Sequence, residues 1–336
     1  MATIDIERHL ASNGSEVFRL PLEVFPDYHA FAHLVIHEGH SILVDVGSGL
    51  GHSHRDLEAA FTALGEKWGT GVSLADIERI VITHGHIDHF GGLPAVAKIA
   101  THAQIACHEL AQPVLTNYTE RRMITIAAMR DFFQRAGAPA DRIGWMLDMY
   151  DLGKGAYTEM PVHQALRDGD WIDGVMQVIH VPGHAPGLIM LRCGDLLLTA
   201  DHILPGTSVA LWPESILPYT GVGHYIESLE KALRLEGIRV ALGGHERTMP
   251  DFYDVAQNTL MQAREKVRLV HDMCKEPRTI YEIARLIYGE LEGYSTILKL
   301  SQVGARIEYL NQRGLVRIAN LEALGRPAEA LCYVAA

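Results

Sequence analysis

Three histidines and one carboxylate occupy six consecutive positions of this chain, as His84, His86, Asp88 and His89. They follow the apolar run of residues 80–82, which predicts a β-strand. Side chains at alternate positions of an extended segment point to the same side, so His84, His86 and Asp88 can converge. Neutral imidazole and carboxylate are ligands that zinc and similar divalent metals accept. A solvated loop would explain one isolated histidine, but this spacing favours a metal site.

Three further residues of metal-ligand type follow apolar segments later in the chain: His184, Asp201 and His245. Strand ends at one edge of a sheet form a shared rim, where loops carry chemistry on a rigid scaffold. Glycines next to His184 and His245 allow the backbone to approach closely. Each of these three residues, taken alone, could equally well be a metal ligand or an ordinary loop residue. Their recurrence, together with the dense first cluster, favours one metal centre at the rim.

The elements that must position these residues are short strands that alternate with helices, which is an α/β pattern. Strands are predicted at residues 17–22, 32–38, 41–46, 80–83, 104–107, 177–181, 188–193, 196–199, 239–242, 315–317 and 331–334. Helices are predicted at residues 55–64, 92–99, 225–235, 251–274, 279–288 and 296–313. We therefore predict a catalytic domain over residues 1–250 and a helical, winged-helix-like domain over residues 251–336.

The complete ligand pattern resembles that of the metallo-β-lactamase fold superfamily, in its glyoxalase-II-like and lactamase-B-like branch. The pattern consists of His84-x-His86-x-Asp88-His89 followed by His184, Asp201 and His245. The resemblance covers about residues 17–250, and residues 251–336 resemble the winged-helix domain of some lactamase-B-like hydrolases. It implies an αββα sandwich with a dinuclear metal site at one edge of two sheets, followed by a small winged-helix-like domain.

Carried over position by position, the resemblance implies three separate ligands for each ion. They are His84, His86 and His184 for one ion, and Asp88, His89 and His245 for the other. Asp201 would bridge the two ions, and Asp45, at an earlier strand end, would orient a ligand histidine without touching a metal. The ions are expected to be Zn²⁺, with Mn²⁺ or Fe²⁺ as alternatives.

Such a centre predicts hydrolysis by metal-activated water. Two divalent ions lower the pKa of a bridging water, and the resulting hydroxide attacks a carbonyl that one ion polarises. We expect an ester, thioester, lactone or amide as the substrate, with Asp88 as the catalytic proton acceptor. The alternatives are a metal-dependent phosphodiesterase or nuclease, and a β-lactamase-like amide hydrolase.

Substrate choice is expected to depend on the region around the centre. Residues 109–163 read as a helical insertion rich in methionine and aromatic residues, which indicates either core packing or a lid that favours an apolar acyl chain or ring. We interpret Arg121 and Arg122 in this insertion as a solvated helix face rather than a site for a carboxylate or phosphate. Tyr219 and Tyr225 flank a glycine-rich loop and are candidate donors of a hydrogen bond to the leaving group.

Composition narrows the range of partners. The 336 residues carry a formal net charge of −12, and residues 251–336 hold equal numbers of acidic and basic groups, which argues against nucleic-acid binding. No apolar run in the sequence reaches membrane-spanning length, and charged residues near the start do not fit a signal peptide. We therefore expect a cytoplasmic protein without a membrane partner that acts on a small-molecule substrate. The second domain is expected to be a structural cap or the interface of a homo-oligomer.

Overall fold

Two mixed β-sheets stack face to face in the first part of the chain. The computed structural model describes residues 5–154 and 157–336, so residues 155–156 of the predicted insertion lie outside the described residues. The first sheet contains β1 (Glu7–Leu10), β2 (Glu16–Phe25), β3 (Tyr28–His37), β4 (His40–Val44), β5 (Arg79–Ile82), β6 (Gln104–His108) and β7 (Gln164–Leu166), paired in that order. The second contains β8 (Trp171–Ile172), β9 (Met176–His180), β10 (Ile189–Cys193), β11 (Leu196–Ala200) and β12 (Val240–Gly243), paired in sequence order from β8 to β12.

Alternating apolar side chains fill the space between the two sheets. Strand residues two apart point to the same face, so each strand contributes every second side chain to this layer. The layer includes Val17, Val35, Val44 and Val81 from the first sheet and Val178, Leu191, Leu198 and Leu242 from the second. All of these are buried. The packed layer holds the strand ends of both sheets at fixed positions along a common edge.

Helices cover the outer faces of both sheets. The helices are α1 (Ser53–Trp68), α2 (Ile87–Phe90), α3 (Leu93–Ile99), α4 (Gln112–Thr116), α5 (Tyr118–Arg135), α6 (Ala140–Lys154), α7 (Val222–Leu233), α8 (Phe252–Asp272), α9 (Ile280–Tyr288) and α10 (Ser295–Gln312). Leu57 of α1 and Val96 of α3 share a hydrophobic core with the first sheet, and Leu229 of α7 and Phe252 of α8 share one with the second. The fold is therefore the αββα sandwich that the sequence predicts. Among the described helices none is long and apolar enough to cross a lipid bilayer.

The insertion between β6 and β7 forms α4, α5 and α6, and it packs against the C-terminal part of the chain. Arg135 Nη1 donates to the carbonyl oxygen of Ala323 at 2.6 Å, and Arg142 Nη1 donates to that of Leu291 at 2.8 Å. Gly304 lies so close to α5 that a Cβ added there would lie 2.5 Å from the ring of Phe132. The insertion is therefore fixed along one side by the last helices.

The C-terminal part ends in a small antiparallel sheet. Its strands are β13 (Arg278–Thr279), β14 (Val316–Ile318) and β15 (Cys332–Ala335), with β15 in the middle. The predicted boundary at residue 250 falls next to α8, whose Phe252 and Ala256 belong to the same hydrophobic core as the second sheet. The domain division, the winged-helix assignment and the role as a cap or oligomer interface stay predictions.

Candidate metal centre

The seven predicted ligands meet at the edge where β5, β9, β11 and β12 end. They form two groups whose ligand atoms all lie within 4.8 Å of one another. The groups are His84, His86, His184 and Asp201, and Asp88, His89, Asp201 and His245. Because β11 and β12 run parallel, their carboxyl ends place Asp201 and His245 side by side.

The backbone around the first cluster differs in one respect from the expected extended segment. His86 has an extended conformation, but Asp88 and His89 lie in the single turn of α2. This turn, rather than strand alternation, rotates Asp88 and His89 into the second group. The expectation that Asp88 converges through alternation was therefore wrong, although its position in the cluster agrees with the prediction.

The first group has the spacing that a metal requires. His84 Nε2 lies 3.1 Å from His86 Nδ1 and 3.8 Å from Asp201 Oδ2. His184 Nε2 lies 3.7 Å from the same Asp201 oxygen. Tetrahedral ligands with bonds of about 2.0–2.1 Å are about 3.3–3.4 Å apart. The observed separations lie around that value, so these four side chains fit a single ion.

The second group is equally close. His89 Nε2 lies 3.3 Å from Asp201 Oδ1 and 3.7 Å from Asp88 Oδ2. His245 Nε2 lies 3.4 Å from Asp88 Oδ2 and 3.4 Å from Asp201 Oδ2. Both oxygens of Asp201 thus contact the second group, and one of them also contacts the first. This is the position that a bridging carboxylate would occupy.

Hydrogen bonds outside the cluster direct three of the imidazoles toward its centre. These bonds run from His184 Nδ1 to Ala210 O at 2.8 Å, from His245 Nδ1 to His29 O at 2.6 Å, and from His89 Nδ1 to Asp45 Oδ2 at 2.8 Å. Each Nδ1 therefore carries a hydrogen, and each Nε2 is the atom that can bind a metal when the imidazole is neutral. Across residues 5–154 and 157–336, these three Nε2 atoms and Asp201 Oδ1 are buried without a hydrogen-bond partner. Buried polar atoms are rarely left unsatisfied, so the donor set fits bound metal ions.

Asp45 stands behind this ring of ligands, just after β4. Its carboxylate accepts hydrogen bonds from Thr83 N, Thr83 Oγ1 and His89 Nδ1, each at 2.8 Å. Its backbone lies in the left-handed region, with φ 58°, which is unfavourable for a residue with a side chain. The three hydrogen bonds offset that strain and place the carboxylate where it can orient His89.

The charge of the cluster is set by its carboxylates. Burial lowers the pKa of His84 well below its usual value, which favours the neutral form that binds metal. Burial acts in the same direction on His89 and His245, but the charge of Asp201 and the nearby Asp88 outweighs it. The pKa of His89 is therefore well above its usual value, and that of His245 is raised to about 10. The carboxylates thus attract positive charge, which divalent cations supply.

An apolar cavity of about 460 Å³ opens beside His86. One wall comes from the insertion, through residues 109–125 and Tyr150, and another comes from residues 212–219. Its apolar lining includes Ile87, Phe90, Leu110, Val114, Tyr118, Ile124, Trp212 and Ile216. Cavities of this size with few polar groups are typical of small-molecule sites.

The family model for the metallo-beta-lactamase superfamily matches residues 26–245. The chain belongs to this superfamily. It is 22% identical over 283 residues to the probable metallo-hydrolase YqjP of Bacillus subtilis (strain 168), which covers 80% of this chain and 83% of that protein. It is 24% identical over 260 residues to the N-acyl homoserine lactonase AttM of Azorhizobium caulinodans, covering 71% of this chain and 87% of the lactonase. It is also 28% identical over 180 residues to the acyl-coenzyme A thioesterase MBLAC2 of Bos taurus, covering 52% and 55% of the two chains.

Solved structures of the superfamily share the fold over nearly the whole chain. The metallo-beta-lactamase family protein TTHA1429 from Thermus thermophilus superposes with a TM-score of 0.73 at 22% identity, covering 95% of this chain and 98% of its own. A beta-lactamase domain protein from Burkholderia ambifaria gives 0.72 at 18% identity, covering 98% and 95%. Together with the named hydrolases among its relatives, the family identifies this chain as a metal-dependent hydrolase.

The two tyrosines predicted to contact substrate lie in different places. Tyr219 lines the apolar cavity and is 49% exposed. Tyr225 is 3% exposed, and its hydroxyl donates to the carbonyl oxygen of His202 at 3.2 Å. Tyr225 lines a second cavity rather than the one beside His86. The prediction that Tyr225 donates to a leaving group was wrong, because α7 directs it to the other side of its loop.

The two arginines of α5, Arg121 and Arg122, line the apolar cavity and are partly exposed. Their side chains therefore face the cavity as well as solvent, which the interpretation as a solvated helix face did not include. Arg122 pairs with Asp151, at 2.9 Å between Nη2 and Oδ2. In the described part of the chain, the guanidinium of Arg121 has no acidic partner. It therefore adds one unpaired positive charge to the cavity wall.

Sequence reasoning missed Tyr28 and Trp212. The ring of Tyr28 lies 4.8 Å from that of His245, and the side chain is 47% exposed beside the second group. Trp212 forms part of the cavity wall and packs edge to face with Tyr150. Tyr28 is the first residue of β3 and Trp212 lies in a connecting segment. A single aromatic residue at such a position has no distinguishing spacing, so the sequence carried no signal for either residue.

Proposed function

We propose that this protein hydrolyses an acyl thioester, ester or lactone whose acyl portion is apolar. The observation that carries the proposal is the cavity beside His86, because it joins an apolar chamber to the metal-binding group. An acyl chain or ring placed there would be removed from water, which contributes about 25 cal/mol per Å² of apolar surface. The carbonyl would then lie at the end of the cavity where the ligands converge.

The chain's own residues would organise the reaction around two ions. Divalent ions, which we expect to be Zn²⁺ with Mn²⁺ or Fe²⁺ as alternatives, would supply an acidified water and a Lewis acid for the carbonyl. Asp201 would hold the two ligand groups at a fixed separation, since its oxygens contact both. Burial opposes ionisation of Asp88, but His89 and His245 lower its pKa to about 2. Bound divalent ions would supply the positive charge in place of the two imidazoliums, so Asp88 would stay a carboxylate at neutral pH and could accept a proton as water attacks.

Arg121 favours substrates that also carry a negative charge. Its guanidinium lines the cavity wall and has no acidic partner among the described residues, whereas that of Arg122 is neutralised by Asp151. A thioester of a phosphate-bearing thiol would place its anionic part within reach of such a group. Two relatives are named as an acyl-coenzyme A thioesterase and an N-acyl homoserine lactonase, which supports a thioester or a lactone as the bond that is cleaved. The chain matches about half of the length of the thioesterase.

The proposal is tested with one acyl group presented through different bonds. Metal-loaded protein would be assayed with an octanoyl coenzyme A thioester, an octanoyl homoserine lactone, a p-nitrophenyl octanoate ester, a β-lactam and a phosphodiester. We expect kcat/KM to be highest for the octanoyl thioester or lactone and lower for the acetyl forms of the same compounds. Faster hydrolysis of the β-lactam or the phosphodiester would refute the proposal and favour the corresponding alternative. Chelation should abolish the activity, and added Zn²⁺, Mn²⁺ or Fe²⁺ should restore it.

A further inference from the structure

A second cavity, of about 250 Å³, lies between residues 204–211, α8 and α10. Its lining residues are separate from those of the apolar cavity. Most of its lining residues carry hydrogen-bonding side chains: Thr207, Ser208, Tyr225, Arg247, Asp251, Asp254, Asn258, Thr259, Gln262, Lys266 and Arg306. The metal centre and the proposed acyl site use none of these residues, so the second cavity needs a separate explanation.

Arg306 is a buried cation in the wall of this cavity. The side chain is 4% exposed. Its Nη1 donates to the carbonyl oxygen and to Oε1 of Gln302, which lies one turn earlier on α10. Within residues 5–154 and 157–336, its Nε and Nη2 groups have no acceptor, and no carboxylate pairs with it. Arginine stays charged in proteins, and a buried charge without a counter-charge is unfavourable.

Lys266 adds a second positive charge to the same cavity. Its Nζ donates to Ser208 Oγ at 2.6 Å, which links α8 to the loop of residues 204–211. Burial, and then the charge of Arg306, lower the pKa of Lys266. The acidic residues of the lining do not neutralise this pair: Asp251 is bound to Arg247 at 2.8 Å, and Asp254 is exposed.

We propose that this cavity binds a phosphate group, with Arg306 and Lys266 as its charged ligands and Ser208 as a hydroxyl donor. The planar guanidinium offers two adjacent donors to two oxygens, and the ammonium offers a compact charge to a third. The amides of Asn258 and Gln262 can complete the set, since both line the same space. The group can come from free phosphate or from a phosphate monoester, because both present the same oxygens.

The loop of residues 204–211 connects this cavity to the metal centre. The loop begins just after Asp201 and leads to Ala210, whose carbonyl oxygen accepts the hydrogen of His184 Nδ1. A phosphate held by Lys266 and Arg306 would join the loop to α8 and α10 at once. We therefore expect it to stabilise the folded protein. The site does not depend on which acyl bond the enzyme cleaves.

The test measures phosphate binding to the metal-loaded protein by calorimetry and by thermal unfolding, with sodium chloride at equal ionic strength as the reference. We expect inorganic phosphate to bind and to raise Tm, and binding to weaken at least tenfold in Lys266→Gln. Arg264→Gln is the matched control, because it removes a charge from the same helix where Arg264 pairs with Glu230 at 2.6 Å. Binding to Arg264→Gln should equal that of the unaltered protein. Arg306→Gln should lose binding as well, and Lys266→Gln keeps the test valid if that variant does not fold.

The metal ions can also bind phosphate, and the variants separate the two sites. Equal binding by Lys266→Gln and the unaltered protein would locate the phosphate at the metal centre and overturn the proposal. Absence of binding to the unaltered protein would overturn it as well. A parallel titration with ribose 5-phosphate distinguishes a phosphate monoester from free phosphate as the ligand of this cavity. Tighter binding than inorganic phosphate, again lost in Lys266→Gln, would show that the cavity takes a monoester, and weaker binding would favour the free ion.

Discussion

Replacing Asp45 with asparagine is expected to weaken the metal centre by changing the tautomer of His89. The carboxylate accepts hydrogen bonds from Thr83 N, Thr83 Oγ1 and His89 Nδ1, each at 2.8 Å. Asparagine has the same shape and tolerates the left-handed backbone at this position. However, its amide replaces one acceptor oxygen with a donor. The backbone N–H of Thr83 can only donate, so the asparagine oxygen must stay opposite it, and the NH₂ group must face His89.

His89 would then have to accept a hydrogen bond at Nδ1 and carry its own proton on Nε2. That atom lies 3.3 Å from Asp201 Oδ1 and faces the centre of the second group. A protonated Nε2 cannot bind a metal. Changes to the partners of ligand histidines typically weaken metal binding 10- to 100-fold, or by about 1.4–2.7 kcal/mol. We expect a loss of this size for one of the two ions, with the group around His84 and His86 retaining the other.

Competition with a chromophoric chelator would measure both affinities, and elemental analysis would give the number of ions per chain. Asp173→Asn is the control for the loss of one negative charge, because Asp173 pairs with Arg79 at 2.6 Å away from the centre. Its metal affinities should match those of the unaltered protein. If Asp45→Asn bound two ions per chain with unaltered affinity, the proposed role of the tautomer would be refuted.

Three further substitutions test a metal ligand, the contact between α5 and α10, and the buried imidazole of His108. His86→Ala should lower kcat/KM by more than about 100-fold, because loss of a metal ligand should cost more than loss of a ligand's hydrogen-bond partner. The control is His102→Ala, since His102 is exposed. Equal kcat/KM values for the two variants would contradict the assignment of His86 to the metal site. Gly304→Ala would place a Cβ 2.5 Å from the ring of Phe132, so the free energy of unfolding measured in urea should fall by about 1–3 kcal/mol. Gly144→Ala is the control, because no heavy atom lies within 4 Å of its Cβ, and its free energy of unfolding should rise by about 0.5–1 kcal/mol. Burial and the stacked imidazole of His180 lower the pKa of His108 to about 4 in the folded protein. The unfolded pKa is about 6.5, so the contribution of neutral His108 to stability is complete above pH 6.5 and is lost as the pH falls toward 4. His108→Gln should therefore show a flatter dependence of unfolding free energy on pH over that range, and an unchanged slope would contradict the assignment.

The ligand positions could be predicted because both of their determinants are local. Residue type gives the donor atom, and a position just beyond an apolar strand places that atom at the edge of the sheet. His184, Asp201 and His245 meet both conditions, and the structure brings them together with the first cluster. The strands that support them were predicted from short continuous apolar runs, such as residues 80–82 and 196–198, which are typical of strands buried on both faces.

What could not be predicted depends on contacts between distant segments. The partners of His184 and His245 are the backbone carbonyls of Ala210 and His29, and every residue has such a group. The strands β1, β7 and β8 contain two to four residues each, too few to show periodicity, and they exist because a neighbouring strand pairs with them. The prediction that Tyr225 donates to the leaving group failed because a glycine-rich loop does not reveal which side the following helix faces.

The contact between α5 and α10 has a consequence for how substrate preference can change over evolution. One wall of the apolar cavity beside His86 belongs to the insertion, and Gly304 and the backbone near Ala323 and Leu291 contact the helices that form this wall. Mutations in the last helices can therefore reshape the chamber without altering a residue that touches substrate. Exchanging the insertion between related enzymes should transfer specificity only when the matching C-terminal helices are exchanged with it. The two segments, although far apart in the chain, would then have to change together.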